Sequence, residues 1–188
     1  LVLGEGNIAT AESMLLARSL MNATVYRHHV SRVAGAMVER ASERYLDRTD
    51  TSVEAFRRMA DHDLLVGLVD AVPEFGRRIE HRNLYKRAVW ARLGAVPPGT
   101  VEVGHEGERR AEREISDRAG VETHEVVVDV PPRPALKESA TEVVVDGQVQ
   151  RLGDASELVA SIRDAERARW RLGVYCPAEH VDAVADAA

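Results

Sequence analysis

The sequence has one cysteine, 4% aromatic residues and only two lysines, Lys86 and Lys137. A lone Cys176 excludes an intrachain disulfide and a zinc site built from cysteines, and it fits a reducing cytoplasm. No apolar run approaches the ~20 residues that a membrane-spanning helix requires. We therefore expect a cytoplasmic protein that does not enter a membrane.

Because lysine is so rare, nearly all the positive charge is arginine, and the formal net charge is −6. Binding that coats nucleic acid is driven by phosphate contacts and needs a basic face, so the acidic balance argues against nucleic acid as a partner. A local group of arginines can still hold one small polyphosphate. Apolar residues form 45% of the chain, which is enough for a packed core.

The first half of the chain has the pattern of helices. Apolar residues recur at helical spacing from about Ile8 to Leu46, with a kink or junction predicted at residues 22–24. Three shorter helices are predicted to follow, opened by the capping-box pattern Thr51–Glu54, by Asp61 or Asp63, and by Pro73. Residues 84–90 are then predicted to turn extended.

The second half mixes helices with strands after a break at residues 94–99, which contain two prolines and two glycines. We predict helices over residues 106–119 and 156–170 and a last one opened by Pro177, and strands over residues 125–130, 141–145, 148–152 and 171–176. The sequence therefore predicts an α+β fold with a mainly helical N-terminal half, residues 1–93, followed by a small mixed α/β lobe, residues 100–188.

Polar side chains form one stripe along the first predicted helix. Arg18, Asn22 and Tyr26 are spaced by four residues, and His29 lies three further on. Arginine suits phosphate oxygens, and tyrosine offers an aromatic face to a sugar or base. The same spacing is also typical of an ordinary solvated helix face, so both interpretations stay open at this point.

A second cationic pair, Arg82 and Lys86, lies near the end of a predicted helix. Two cations on one face make a cradle for phosphate, but cations are also common near the negative end of a helix dipole. His62-Asp63 resembles the core of a metal-phosphohydrolase motif, which His29 and Asp164 would have to complete. A dipeptide occurs easily by chance, and Asp63 equally fits a helix start. Neither a glycine-rich phosphate loop nor a nucleophile elbow is present.

Together, three stretches resemble the HD-domain deoxynucleoside triphosphate triphosphohydrolases, a family that includes the SAM-and-HD-domain dNTPase and prokaryotic relatives. They are residues 17–29, residues 79–86 with Arg82-Asn83-Leu84-Tyr85-Lys86 as the most specific part, and residues 171–176. The resemblance implies the C-terminal part of an HD-type helical domain followed by the lobe. It also implies a homo-oligomer, a dimer or tetramer, and cleavage of a dNTP into deoxynucleoside and triphosphate.

The resemblance assigns roles to six residues. It implies that Arg18, Asn22 and Tyr26 bind substrate, with Asn22 standing where a relative has histidine, and that His28, Arg82 and Lys86 bind a regulatory nucleotide between subunits. It places the ligands of the divalent metal ion upstream of Leu1, so we expect no catalytic or metal-binding residue within this stretch. Residues 4–7 lack basic side chains that help to hold the activator in some members.

The sequence is therefore consistent with three functions. The leading hypothesis is the C-terminal portion of a metal-dependent HD-type dNTP phosphohydrolase that supplies contacts to the substrate phosphates and to a regulatory nucleotide. The alternative is a non-catalytic nucleotide-sensing or oligomerisation module. A nucleic-acid binder that uses the arginine stripes is the third, and its affinity would have to depend strongly on salt.

Overall fold

The computed structural model describes residues 2–188. The helices are α1 (Ile8–Met21), α2 (His29–Arg48), α3 (Val53–Phe56), α4 (Asp61–Ala71), α5 (Pro73–Glu80), α6 (Gly104–Ala119), α7 (Leu152–Ala155), α8 (Glu157–Ala168) and α9 (Val181–Ala187). The strands are β1 (Val2–Gly4), β2 (Lys86–Arg92), β3 (Val127–Asp129), β4 (Glu142–Val145), β5 (Gln148–Arg151) and β6 (Arg171–Cys176). The predicted α+β class is confirmed.

The chain forms two compact units, and each is drawn from three separate segments. The first unit comprises residues 2–28, Ala91–Glu102 and Pro131–Arg171, and the second comprises His29–Trp90, Val103–Val130 and Leu172–Ala188. These boundaries differ from the sequence division at residues 94–99, because β1 and β2 pair with strands from the later half of the chain. Among residues 2–188, no helix is both long and apolar enough to cross a membrane.

In the first unit, a three-stranded sheet packs against α1 and α8. Strand β1 runs parallel to β4, and β4 pairs antiparallel with β5 across the turn at Asp146 and Gly147. Both turn residues have positive φ, 50° and 74°, as the predicted two-residue hairpin requires. The core of this unit consists of Leu15, Val143, Leu152, Val159 and Ile162.

The helical run predicted from residue 8 to residue 46 is interrupted where the sequence indicated a junction. Helix α1 ends at Met21, a π-helical turn covers Asn22–Tyr26, and α2 begins at His29. The hydroxyl of Thr24 donates to the carbonyl of Leu20 at 2.8 Å, which is the competition for backbone groups expected of threonine within a helix. The interruption decides which side chains share a face.

In the second unit, the sheet β2-β6-β3 has helices packed on both faces. Successive residues of a strand point to opposite faces, so Val127 joins the hydrophobic cluster of α2, α4 and α5, while Val126 and Val128 join the cluster of α6 and α9. Tyr175 and Cys176 divide between the clusters in the same way. This alternation places the second unit's sheet between two apolar layers.

Close packing of α4 against α5 sets the direction of the chain toward β2. A methyl group added at Gly76 would lie 2.4 Å from the backbone carbon and oxygen of Leu68, so a larger residue there would push the helices apart. Helix α5 ends at Glu80, and Arg82 has a φ of 54°, a left-handed conformation that reverses the chain. The reversal leads directly into Lys86, the first residue of β2.

Candidate functional site

Arg18 and Asn22 line an open cleft in the first unit, as their four-residue spacing predicts. The cleft has about 430 Å³ of empty space, counting solvent at its mouth, and its lining consists of Leu15, Arg18, Ser19, Asn22, Arg27, Pro134, Ala135, Leu136, Glu138 and Glu166. We refer to it as the paired cleft, because each of its two arginines has a carboxylate partner. Glu138 and Glu166 also line the cleft, but they are distant in sequence from the two arginines, so no local sequence pattern predicted them.

The ion pairs of the paired cleft are Arg18 with Glu138 and Arg27 with Glu166. Glu166 also accepts a hydrogen bond from the hydroxyl of Ser19 at 2.8 Å, and its side chain is only 7% exposed. By contrast, the side chain of Arg18 is 59% exposed. The inner pair is therefore part of the packed structure, while Arg18 can exchange its partner at little cost, since exposed ion pairs contribute about 0–1 kcal/mol.

Tyr26 lies outside the described lining of the paired cleft and is 65% exposed. The predicted stripe assumed a continuous α-helix from Arg18 to Tyr26, whereas residues 22–26 form a π-helical turn. A π turn closes over five residues rather than four, so it rotates the positions that follow. The structure brings Arg18 and Asn22 together and leaves Tyr26 open to solvent.

Arg82 and Lys86 line a second cleft, within the second unit. It has about 790 Å³ of empty space, counting solvent at its mouth, and its lining consists of His29, Val30, Val33, Arg82, Leu84, Tyr85, Lys86, Arg87 and Tyr175. Without the open solvent at the mouth, the cavity volume is about 360 Å³, which is at the lower end of the range of small-molecule sites, roughly 300–1,000 Å³. We refer to it as the cationic cleft, because three of these side chains carry positive charge and none is acidic.

The cations of this cleft have no carboxylate partners in the described chain. Arg82, Lys86 and Arg87 are exposed, and none forms an ion pair within 4.0 Å in residues 2–188. The guanidinium of Arg87 lies 5.5 Å from the ring centre of Trp90, a cation–π distance. Like charges held together without acids favour the binding of an anion, because the anion relieves their repulsion.

Tyr85 fixes the segment that carries these cations. Its side chain is buried in the core, and its hydroxyl donates to the carbonyl of His124 at 2.9 Å. The guanidinium of Arg78 lies 5.3 Å from its ring centre. Since Arg82 and Lys86 lie on either side of this buried residue in sequence, their backbone positions are set before any ligand binds.

Tyr175 forms part of the cleft wall and donates a 3.3 Å hydrogen bond to Asp129. Burial raises the pKa of Asp129, while the neighbouring Arg32, its ion-pair partner, opposes that rise. Burial, together with the charge of Asp129, also raises the pKa of Tyr175. Asp129, which lies behind Tyr175, is thus already paired with Arg32, and its charge does not offset the positive charge of the cationic cleft.

The histidine in the described lining of the cationic cleft is His29 rather than the predicted His28. His29 is the first residue of α2, whereas His28 belongs to the connection before it. Adjacent residues point in different directions, and the sequence alone did not show where the second helix begins. The sequence analysis also did not predict Arg87 as a lining residue, although a third cation directly after Lys86 could have indicated it.

The His62-Asp63 dipeptide forms a helix start. Asp63 accepts a hydrogen bond from the backbone N–H of Ala60 at 3.1 Å, and α4 begins at Asp61. In the part of the chain that the structure describes, His29, His62 and Asp63 do not form a group whose ligand atoms lie within 4.8 Å of one another. This geometry supports the helix-start interpretation of the dipeptide.

Comparison with known proteins gives a family and a fold. The HD associated region family matches residues 1–188. An uncharacterised protein of Methanocaldococcus jannaschii is 26% identical over 175 residues, which are 93% of this chain and 39% of that protein. A hypothetical protein from Aquifex aeolicus has a similar structure, with a TM-score of 0.64 and 16% identity over 98% of this chain and 46% of its own.

A phosphohydrolase from Bacteroides thetaiotaomicron is also similar, with a TM-score of 0.56 and 17% identity over 94% of this chain and 51% of its own. At these identities the two solved structures establish a shared fold. The chain spans between 39% and 51% of the length of these three proteins.

Proposed function

This chain belongs to the HD associated region family, and we propose that it is the part of an HD-type phosphohydrolase that binds the polyphosphate group of nucleotides. The carrying observation is the cationic cleft, where Arg82, Lys86 and Arg87 converge with no acid in the lining. A triphosphate is the small ligand that best matches three neighbouring cations. The shared fold with a phosphohydrolase supports the same class of chemistry.

In this proposal the whole protein cleaves dNTPs into deoxynucleoside and triphosphate, and the cationic cleft holds a regulatory nucleotide in a cytoplasmic homo-oligomer. A divalent metal ion held by residues outside this chain would supply the activated water. Arg18 and Asn22 would meet the substrate in the paired cleft, where Arg18 exchanges Glu138 for a phosphate oxygen. Tyr26 is exposed enough to contact a nucleoside that extends beyond this lining. His28 stays a proposed neighbour of the regulatory nucleotide.

Calorimetric titration of the 188-residue chain with tripolyphosphate, dGTP and ATP tests the binding part of the proposal. We expect saturable binding that weakens about ten- to a hundredfold in Arg82→Ala and in Lys86→Ala, because a charge-assisted hydrogen bond contributes about 1.5–3 kcal/mol and every 1.4 kcal/mol is about tenfold in affinity. Arg57→Ala is the matched control, since Arg57 is exposed and lies outside the described linings of both clefts. Equal affinities in all three variants would contradict the assignment of the cationic cleft.

The catalytic part is tested separately in the whole protein with added divalent metal. We expect release of deoxynucleoside and triphosphate, and a lower kcat/KM in Arg18→Ala. Unchanged turnover in this variant would remove Arg18 from the substrate site. Nucleotide binding without any hydrolysis by the whole protein would instead favour the alternative, a sensing or oligomerisation module.

A further inference from the structure

We propose that Glu39, His105 and Glu108 form a binding site for a divalent transition-metal ion of the Zn²⁺ or Mn²⁺ class. All three belong to the second unit: Glu39 lies on α2, and His105 and Glu108 lie three residues apart on α6. This spacing puts the two α6 side chains on one helix face. The site shares no residue with the paired cleft or the cationic cleft, so it does not depend on the proposed function.

The donor atoms lie near the spacing of ligands around one ion. Nδ1 of His105 lies 3.0 Å from Oε1 of Glu39 and 3.5 Å from Oε2 of Glu108, and the three ligand atoms all lie within 4.8 Å of one another. Nitrogen and oxygen ligands bound at about 2.0–2.1 Å in a tetrahedron are roughly 3.3–3.5 Å apart. Small side-chain movements are therefore enough to place a metal ion among the three.

Glu108 is held in position by a group outside the cluster. It is 8% exposed, and its Oε1 accepts a hydrogen bond from the backbone N–H of Val130 at 2.8 Å. This bond leaves Oε2 on the side of His105. Ligating carboxylates are commonly oriented by such outer hydrogen bonds, which lower the entropy lost when a metal binds.

The charge balance also favours a cation. Two carboxylates meet at one imidazole, and a divalent ion would neutralise both. The nearest competing cation is Arg109, whose Nη2 lies 3.6 Å from Oε2 of Glu108. The guanidinium of Arg109 also forms ion pairs with Glu112 at 2.7 Å and with Glu43 at 3.0 Å. These two carboxylates offset much of its positive charge near Glu108.

The chemistry of the donor set narrows the choice of metal. One imidazole nitrogen and two carboxylate oxygens suit Zn²⁺, Mn²⁺, Co²⁺ or Ni²⁺ better than Ca²⁺ or Mg²⁺, which prefer oxygen ligands alone. Three protein ligands leave at least one coordination position for water. Because the ligands come from α2 and α6, a bound ion would also connect these helices and raise the melting temperature.

Calorimetry and thermal unfolding of the metal-stripped 188-residue chain with ZnCl₂, and separately with MnCl₂, test this proposal. In residues 2–188 no second group of three such side chains has comparable spacing, so we expect one ion per chain and a higher melting temperature with at least one metal. His105→Ala and Glu39→Gln should each weaken binding at least tenfold. Both residues are exposed, so neither substitution threatens the fold.

His62→Ala is the matched control, because His62 is an exposed histidine that faces a single carboxylate, Asp63 at 3.2 Å. The affinity of His62→Ala for Zn²⁺ or Mn²⁺ should equal that of the unaltered chain. The proposal is overturned if the unaltered chain binds neither metal, or if His105→Ala binds as tightly as His62→Ala does. In the first case the cluster is a hydrogen-bonded group in which a proton joins His105 to Glu39.

Discussion

The two clefts contain similar cations in opposite electrostatic settings. In the paired cleft, Arg18 and Arg27 each meet a glutamate, and one of these, Glu166, is almost completely buried. In the cationic cleft, Arg82 and Lys86 are exposed and have no acidic partner within the described residues. The first arrangement stabilises the unit that contains it, while the second leaves charge available to a ligand.

This difference shows why an arginine by itself is weak evidence for a phosphate site. A guanidinium that bridges to a buried carboxylate contributes to folding, and removing its partner is costly. The charges of unpaired cations in a cluster do not stabilise the folded state, and their mutual repulsion slightly lowers its stability. The binding proposal therefore rests first on the cationic cleft. Variants that remove an acid from the paired cleft or add one to the cationic cleft test this comparison.

The largest effect is expected for Glu166→Ala in the paired cleft. The substitution removes the acceptor of the buried Ser19 hydroxyl and the partner of Arg27. Leaving buried polar groups without partners costs about 1–3 kcal/mol each, so we expect the free energy of unfolding to fall by roughly 2–4 kcal/mol. Urea denaturation followed by circular dichroism measures it.

Lys86→Ala in the cationic cleft is the counterpart of that variant. Because Lys86 is exposed and unpaired among the described residues, its loss should leave the free energy of unfolding within about 0.5 kcal/mol of the unaltered chain. Comparable destabilisation by Lys86→Ala and Glu166→Ala would mean that the two clefts do not differ in the way described.

Another variant of the cationic cleft introduces an acid among its cations. Val30 is in the lining and is 47% exposed, so Val30→Glu adds a carboxylate among the cations, and Val30→Gln adds the same bulk without charge. We expect Val30→Glu to bind tripolyphosphate about tenfold more weakly than Val30→Gln does, since a like charge nearby disfavours an anion by about 1–2 kcal/mol. The ratio should shrink as salt is added, because salt screens exposed charges.

Much of the local structure could be predicted from the sequence. Strand β6 has the predicted ends, Arg171 and Cys176, the hairpin turn is at Asp146 and Gly147, and α6 ends before Gly120, which has a φ of 68°. Each is determined by neighbouring residues. The helix predicted to open at Pro177 instead begins at Val181, after a 3₁₀ turn over Ala178–His180, because proline terminated the strand without fixing where the next helix starts.

The clefts were predictable only in part, for two physical reasons. Four-residue spacing predicted that Arg18, near the end of α1, and Asn22, the first residue of the π turn, lie together, and both line the paired cleft. The rest of the π turn leaves Tyr26 outside that lining. The carboxylates that pair with the arginines lie more than 100 residues away in sequence, as Glu138 shows with Arg18. Long-range partners of this kind depend on tertiary packing, which a single sequence does not display.

The smallest change in phosphate affinity is expected for the outer ion pair of the paired cleft. Glu138→Gln leaves Arg18 without its carboxylate partner, and because the pair is largely exposed, the free energy of unfolding should change by less than about 1 kcal/mol. The released guanidinium should then bind phosphate more readily. In an Arg82→Ala/Lys86→Ala background, where the cationic cleft is disabled, we expect a few-fold gain in tripolyphosphate affinity from Glu138→Gln, measured by calorimetry. Adding Arg18→Ala should abolish the gain, and a gain that persists without Arg18 would show that its pairing with Glu138 does not control phosphate access to this cleft.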